Sequence, residues 1–286
     1  MPVLPFDIPL GQWIDGALEW LFPRFAPVTG AIKAGVTWLL ANLEMGLNAV
    51  PPLLLVAAVT LVAWRVAGRG VAAVSLLGLL LIDGMGYWTE AMTTLSIVST
   101  GVLISLSLGI PLGILAARSD RFLAVLRPIL DLMQTMPSFV YLIPAIFLFS
   151  IGRVPAVIAT VIYSMPPAIR LTNLGIRQVR SDIIEAGRAF GCTPWQLLTR
   201  IQLPLALPSI MAGINQTIMM ALSMSVVAAM IGARGLGSIV IQALNTVQIG
   251  KGFEGGLAIV IMAVILDRIT QALGGRQAAS TLGRGE

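Results

Sequence analysis

The strongest constraint on this chain is a series of long apolar segments separated by short stretches that carry arginine. Seven segments are apolar enough to enter a bilayer: 50–67, 70–87, 90–117, 136–152, 154–169, 208–231 and 254–273. Backbone polar groups in a bilayer must be satisfied within the protein, which favours helices. Hydrophobic residues make up 57% of the chain and charged residues only 11%. The sequence therefore predicts an all-α polytopic membrane protein with about seven transmembrane helices.

Residues 1–49 have a different pattern and form a separate region. Two groups of apolar residues recur there at helical spacing: Ile14, Ala17, Leu18, Leu21 and Phe22, then Ile32, Val36, Leu39, Leu40 and Leu43. Acidic Asp7 and Asp15 stand where a cleaved signal peptide would carry positive charge. We predict two amphipathic helices on the outer membrane surface, a transmembrane domain over 50–273 and a cytoplasmic tail over 274–286.

The distribution of basic residues predicts the orientation. With the N-terminus outside and the C-terminus inside, 13 of the 18 lysines and arginines lie in the cytoplasm and 5 outside. These residues punctuate apolar segments and form no continuous basic surface, so the net charge of +5 does not indicate a nucleic-acid partner.

Prolines interrupt two of the predicted spans and make them candidates for a translocation pathway. Broken helices are tolerated in a membrane where they line a cavity or pack against protein. Aromatic residues lie on these spans and are candidates to line the pathway: Phe139, Tyr141, Phe147, Phe149 and Tyr163. Packing between helices is the alternative interpretation of the same residues.

A polar stretch, EAGRAFGCTPWQLLTRIQLP, lies within the predicted cytoplasmic loop 171–207. Asp182 and Glu185 have the spacing of a capping box, and Gly191 suits the left-handed residue that ends a helix. Thr193 and Gln196 have the spacing of a second capping box. The stretch therefore predicts two short helices joined by a hinge. Small residues in the first helix favour docking against another protein.

The sequence contains no motif for an energy source of its own. It has no phosphate-binding Gly-x-x-x-x-Gly-Lys-Ser/Thr loop and no soluble domain large enough for a nucleotide. It has one cysteine, Cys192, and no histidine, so we expect no disulfide, no metal site and no catalytic residues. A docking loop on a chain that cannot hydrolyse ATP itself indicates that another chain supplies the energy, although an ion-coupled transporter remains an alternative.

The loop resembles the signature of permease subunits of ATP-binding-cassette importers, which reads Glu-Ala-Ala, three residues, Gly, nine residues, Ile-x-Leu-Pro. The matching positions are Glu185, Ala186, Gly191, Ile201, Leu203 and Pro204, and Gly187 replaces the second alanine. The segments MQTMPSFVYLIPAIFLFSIGRVPAV, SMPPAIRLTNLGIRQV and LPLALPSIMAGINQTIMMALSMSVVAAMIGARGLG extend the likeness. They are similar to the permeases of bacterial glycine betaine/proline betaine importers.

The resemblance implies a type I importer fold in the bacterial inner membrane, with the loop residues 185–191 seated on an ATPase subunit. It also implies a homodimer, a periplasmic substrate-binding protein, and ATP and Mg bound by the ATPase rather than by this chain. The implied substrate is a quaternary-amine osmoprotectant. An importer permease for another small solute is the alternative within the class.

Overall fold

The computed structural model describes residues 9–282, and every regular element in that range is helical. The helices are α1 (Leu10–Ala49), α2 (Pro52–Ala67), α3 (Arg69–Gly84), α4 (Trp88–Arg118), α5 (Asp120–Thr135), α6 (Leu142–Phe149), α7 (Arg153–Arg177), α8 (Ser181–Ala189), α9 (Pro194–Gln196), α10 (Leu203–Ala228), α11 (Leu236–Asn245) and α12 (Ile249–Leu282). A 3₁₀ turn, Ser138–Tyr141, precedes α6, and a π-helical turn, Leu197–Gln202, joins α9 to α10. The prediction of an all-α fold is confirmed.

Helix α7 is the centre of the bundle and packs between α4 and α10. Glycines on these helices allow close approach. A Cβ atom on Gly113 of α4 would lie 2.8 Å from the carbonyl oxygen of Ile169, and one on Gly175 of α7 would lie 2.7 Å from Cβ of Ser209. Small residues at helix contacts are how membrane helices gain dispersion energy, since lipid supplies little hydrophobic drive for association. The three helices therefore form a closely packed core.

Helix α12 holds α2 and α3 against this core. A Cβ atom on Gly78 of α3 would lie 2.5 Å from Cγ2 of Ile261, and the hydroxyl of Tyr87 donates a 2.7 Å hydrogen bond to Glu254. The two contacts show that α3 and α12 run antiparallel. Arg69 at the start of α3 therefore lies toward the same end of the bundle as Arg268 near the end of α12.

The helix lengths bear on the predicted number of spans. Four stretches of the described chain are long and apolar enough to cross a membrane alone: Trp88–Arg118, Arg153–Arg177, Pro194–Ile231 and Ile249–Gly275. Up to six spans result if two bent pairs each count as one, Pro23–Ala49 with Pro52–Ala67 (99°) and Asp120–Thr135 with Ser138–Phe149 (110°). A 16-residue helix such as α3 is only about 24 Å long, against about 30 Å of hydrocarbon. The count of seven and the orientation stay predictions.

The N-terminal region differs from the expected pair of helices. Helix α1 is continuous over 40 residues and passes through Pro23 and Pro27 without a break. Its second half buries Val36 and Leu40 against the α6 and α7 part of the core. The side chains of Ile14, Ala17, Leu18, Leu21 and Phe22 lie outside the described part of the structure. Tertiary contact of the C-terminal half with the bundle explains why this half continues as helix toward α2.

Candidate functional site

The polar loop forms a compact helical hairpin at one end of the bundle. Its first helix, α8, begins at Ser181, and the prediction that Asp182 caps it was wrong. Arg180 has extended backbone angles and takes the cap position, so Asp182 lies inside the first turn. Its carboxylate accepts a 3.1 Å hydrogen bond from Nε of Arg180 and a 2.9 Å bond from the backbone N–H of Ile183. These bonds, that from Arg180 above all, lower the pKa of Asp182.

The end of α8 has the predicted form. Gly191 has φ +77°, the left-handed conformation that favours glycine. Its N–H donates to the carbonyl of Arg188 at 2.9 Å, and the N–H of Cys192 donates to that of Gly187 at 3.0 Å. This pair of bonds is a Schellman motif, which satisfies carbonyls at the helix end. Gly191 therefore fixes the turn between the two arms of the hairpin.

The second arm begins with the predicted capping box. The N–H of Gln196 donates to Oγ1 of Thr193 at 3.3 Å, and the N–H of Thr193 donates to Oε1 of Gln196 at 2.8 Å. Pro194 occupies the first helical position, where a missing N–H costs nothing.

The second arm is not the short separate helix that the sequence predicts. One helix runs from Pro194 to Ile231 through the π turn at Leu197–Gln202. A proline in a regular α-helix clashes with the carbonyl four residues earlier, and the wider π turn immediately before Pro204 accommodates it. The hairpin and the transmembrane helix are therefore one continuous element.

The small residue Gly187 faces the chain's own second arm rather than the outside. Gly187 is buried, and a Cβ atom on it would lie 2.7 Å from Cδ1 of Ile201 and 3.0 Å from Cδ1 of Leu197. Leu203 packs beside the buried cluster of Ile176 and Leu198. Three of the seven candidate coupling residues, Gly187, Ile201 and Leu203, thus hold the hairpin together.

The outer face of the hairpin is exposed. Glu185, Ala186 and Gly191 are open to solvent, and Pro204 is partly buried. Two large apolar side chains, not singled out from the sequence, accompany them: Phe190 is 89% exposed and Trp195 is 66% exposed. In the sequence, the signal that could have indicated these two residues is a large apolar side chain within a polar loop. Exposed aromatic side chains of this kind are typical of sites that contact another protein.

A hydrogen bond attaches the second arm of the hairpin to the bundle. Arg118 at the end of α4 donates to the carbonyl of Pro194 at 3.4 Å. Arg177 at the end of α7 pairs with Asp120 of α5 at 2.7 Å and donates to the carbonyl of Ala116 of α4 at 2.9 Å. The second arm is thus connected to α4, and the end of α7 is connected to α4 and α5.

The candidate pathway aromatics lie in different environments. Tyr141 and Tyr163 approach each other, with ring centroids 6.3 Å apart, and the hydroxyl of Tyr141 donates to the carbonyl of Met133 at 2.6 Å. Tyr141 and Phe149 are buried, whereas Phe139 is 56% and Phe147 48% exposed. The structure therefore brings the two tyrosines together. In residues 9–275, whose side chains are described except at six N-terminal positions, no cluster of metal-ligating side chains occurs.

The helical bundle with its projecting hairpin defines a polytopic membrane protein of the transport-permease class. The family described as "Binding-protein-dependent transport system inner membrane component" matches residues 109–278, and the chain belongs to this family. It is accordingly a protein of the inner membrane.

Curated relatives are similar over nearly the whole chain. The chain is 46% identical to the glycine betaine/proline betaine transport system permease protein ProW of Escherichia coli, over 93% of this chain and 75% of the relative. It is 50% identical to the glycine betaine transport system permease protein OpuAB of Bacillus subtilis, over 92% and 94%. It is 46% identical to the glycine betaine/carnitine transport permease protein GbuB of Listeria monocytogenes, over 95% and 97%.

A solved structure shares the fold. It is described as an inward-facing conformation of the MetNI methionine ABC transporter. It superimposes with a TM-score of 0.59 at 22% identity, over 68% of this chain and 95% of the solved chain. The type I importer permease fold expected from the resemblance is confirmed.

Proposed function

We propose that this chain is the membrane-spanning subunit of an ATP-driven importer for glycine betaine or a related quaternary amine. The observation that carries the proposal is the identity of 46% to 50%, over more than nine tenths of the chain, to relatives named as glycine betaine permeases. The chain itself is a non-catalytic subunit. ATP and Mg bind to a separate ATPase, and a substrate-binding protein delivers the substrate.

The exposed face of the hairpin is the proposed contact with the ATPase. Glu185 and Ala186 on α8, together with Phe190 and Trp195, are exposed and supply a carboxylate and two large apolar groups for such a contact. Gly187, Ile201, Leu203 and Pro204 act behind this surface by holding its shape. Gly191 sets the angle between the arms through its positive φ.

The continuity of the second arm with α10 explains how movement reaches the membrane. ATP binding that draws two ATPases together displaces both hairpins, and each displacement reorients the helix Pro194–Ile231 as a rigid body. ATP shifts the balance between inward-facing and outward-facing states only because it binds these states with different affinity. A second copy of the chain completes the pathway in this proposal.

The rings of Tyr141 and Tyr163 are the pathway residues best supported by position, because they lie together on the 3₁₀ turn and α7. Alanine at Tyr163 is expected to weaken transport of glycine betaine. Unchanged transport would remove the aromatic pathway from the proposal.

A second candidate substrate class comes from other relatives. The chain is 40% identical to a trimethylamine N-oxide transport system permease of Pelagibacter ubique over 84% of its length, and 32% identical to a choline transport system permease of Bacillus subtilis over 64%. Competition between glycine betaine, trimethylamine N-oxide and choline for uptake distinguishes these substrates. An ion-coupled transporter is the remaining alternative.

The test is ATP hydrolysis in liposomes that contain this chain with its ATPase and binding protein. Glycine betaine is expected to stimulate hydrolysis, and Gly191→Val is expected to abolish the stimulation, because valine is strained at φ +77°. Gly250→Val is the control, since Gly250 has open space around it in the first turn of α12. Uptake by this chain alone, driven by an ion gradient, would overturn the proposal.

A further inference from the structure

A groove of about 630 Å³ lies between α2 and α3, away from the hairpin and from the α4, α7 and α10 core. Its walls are mostly apolar: Ala57 and Leu61 lie on α2, and Ala72 and Leu76 lie on α3. Thr60 of α2 also lines the groove, and its buried hydroxyl has no hydrogen-bond partner. The small side chains of the two alanines leave the space that the leucines border. The groove is open along one side, so a chain of methylene groups can enter it from the bilayer.

One end of the groove is polar and carries unpaired positive charge. Arg69 lines this end together with Trp64, and Arg65 lies one position beyond Trp64. Arg65 and Arg69 are exposed, and neither has an ion pair or a side-chain hydrogen bond to any residue of the described chain. Guanidinium groups bind phosphate oxygens with two parallel hydrogen bonds, so this end suits a phosphate.

The start of α3 adds to the attraction for an anion. Helix α3 begins at Arg69 after Gly68, and no side chain caps its first N–H groups. Free N–H groups at a helix start carry partial positive charge. Phosphate near Arg69 would face both the guanidinium and this helix end.

The groove is shorter than one leaflet of a bilayer. It extends over eight residues of each helix, from Trp64 to Ala57 and from Arg69 to Leu76. Seven helical rises correspond to roughly 10 Å, about two thirds of the roughly 15 Å of hydrocarbon in one leaflet. Tryptophan and arginine, the two residues at the polar end, are types that membrane proteins place near the ends of their spans. The polar end lies at the same end of the bundle as Arg268, as the antiparallel packing of α3 and α12 requires.

We propose that this groove is a binding site for an anionic phospholipid of the cytoplasmic leaflet. Its phosphate lies on Arg69, with Arg65 beside it, and one acyl chain fills the space between Ala57 and Leu76. A free phosphate ion would leave the apolar walls uncovered. The site is independent of the proposed substrate and of ATP.

The test measures quenching of tryptophan fluorescence in the purified full chain by phospholipids with brominated acyl chains. The contribution of Trp64 is the difference between the chain and its Trp64→Phe variant. Brominated phosphatidylglycerol is expected to quench Trp64 at a lower mole fraction than brominated phosphatidylcholine. Arg69→Gln is expected to weaken phosphatidylglycerol binding about fivefold, the effect of one basic residue near a membrane surface. Ala57→Phe keeps both charges but fills the groove, and is expected to remove the saturable quenching.

Arg127→Gln is the matched control, because Arg127 is exposed on α5 and the change removes the same charge elsewhere. It is expected to leave the quenching of Trp64 unchanged. Equal quenching by the two lipids would mean a general lipid belt and would overturn the site. Unchanged binding in both Arg69→Gln and Ala57→Phe would also overturn it. Disulfide-linked dimers of Leu61→Cys in a Cys192→Ser background, with no quenching by either lipid, would show a second copy in the groove and would overturn it as well.

Discussion

Gly187 and Ile201 lie against each other across the two arms of the hairpin, so closely that a Cβ on Gly187 would come 2.7 Å from Cδ1 of Ile201. The contacting atom is the far end of a flexible side chain, which can turn aside for one methyl group but not for a larger one. The contact explains how alanine in the signature and glycine in this chain fit the same position.

Gly187→Ala is expected to preserve function and Gly187→Leu to abolish it. Alanine gains helix propensity of roughly 1 kcal/mol, whereas leucine separates the arms. Betaine-stimulated ATP hydrolysis in liposomes measures both. Partial recovery in the double variant Gly187→Leu with Ile201→Ala would localise the defect to this contact. A fully active Gly187→Leu variant would contradict it.

Phe190→Ala is expected to weaken binding of the ATPase subunit without affecting the fold. Phe190 is 89% exposed and makes little contact within the chain, so its truncation leaves stability unchanged. Truncation of an aromatic at the centre of an interface typically costs about 2 kcal/mol, or roughly thirtyfold in the dissociation constant. Pull-down titration of purified ATPase gives the value. Phe253→Ala is the control, since Phe253 is also exposed but lies on α12 near the opposite end.

Asp267→Ala is expected to lower thermal stability. Asp267 accepts hydrogen bonds from the amides of Asn215 at 2.9 Å and Gln271 at 2.7 Å, and Thr270 donates to Oδ1 of Asn215 at 2.6 Å. Loss of the carboxylate leaves a partly buried amide unsatisfied, which typically costs about 1–3 kcal/mol. Thermal unfolding of the chain in detergent checks the effect. Asp267→Asn keeps one acceptor oxygen, so its unfolding temperature is expected to lie between those of the unsubstituted chain and of Asp267→Ala.

Reversing the charge of either Glu44 or Arg153 is expected to speed hydrogen exchange in α1. Reversing both charges together is expected to restore the ion pair and the slower exchange. Glu44 on α1 forms an ion pair with Arg153 at the start of α7, and Thr93 donates to Glu44 at 3.3 Å. Both charged groups are partly exposed, so the pair contributes only about 0.2–1 kcal/mol. Hydrogen exchange of α1 amides in Glu44→Arg, Arg153→Glu and the double variant measures it. Equal exchange in all three would show that apolar contacts alone hold α1.

Thr193→Ala is expected to increase hydrogen exchange at the start of the second arm. The substitution removes one bond of the capping box, typically worth about 1 kcal/mol, or roughly fivefold in local opening. Thr199→Ala is a suitable comparison, because Thr199 donates only to the carbonyl of Trp195 within its own helix. Similar exchange in both variants would contradict a special role for the cap.

Local signals in the sequence predicted the turn chemistry of the hairpin well. Gly191 and the Thr193–Gln196 box depend on neighbours within three residues, so spacing alone indicates them. The prediction that Asp182 caps α8 failed because the capping-box spacing does not indicate at which residue the backbone changes from extended to helical, which here is Arg180. The prediction of a short second helix failed for a related reason, since a π turn that lets the helix continue past Pro204 has no residue pattern of its own.

Long-range features were less accessible from sequence. The burial of Val36 and Leu40, which continues α1 toward the bundle, depends on contacts with α4, α6 and α7, which lie many tens of residues further along the chain. The inward-facing side of Gly187 depends on Ile201, and the exposure of Phe190 follows from that packing. Periodicity places residues on a helix face but does not tell which partner covers the face.

The uninterrupted helix from Pro194 to Ile231 connects the hairpin rigidly to the opposite end of the bundle, so the two ends of this helix move together. Its 38 residues extend over about 57 Å, so a tilt of about 10° around its midpoint moves each end by about 5 Å. A displacement comparable to one helical turn at the hairpin end would thus appear, reversed in direction, at the Ile231 end of the helix. The amplitude of transport-related movement is then set by where this helix pivots, and substitutions at the pivot should change stroke length without touching either end.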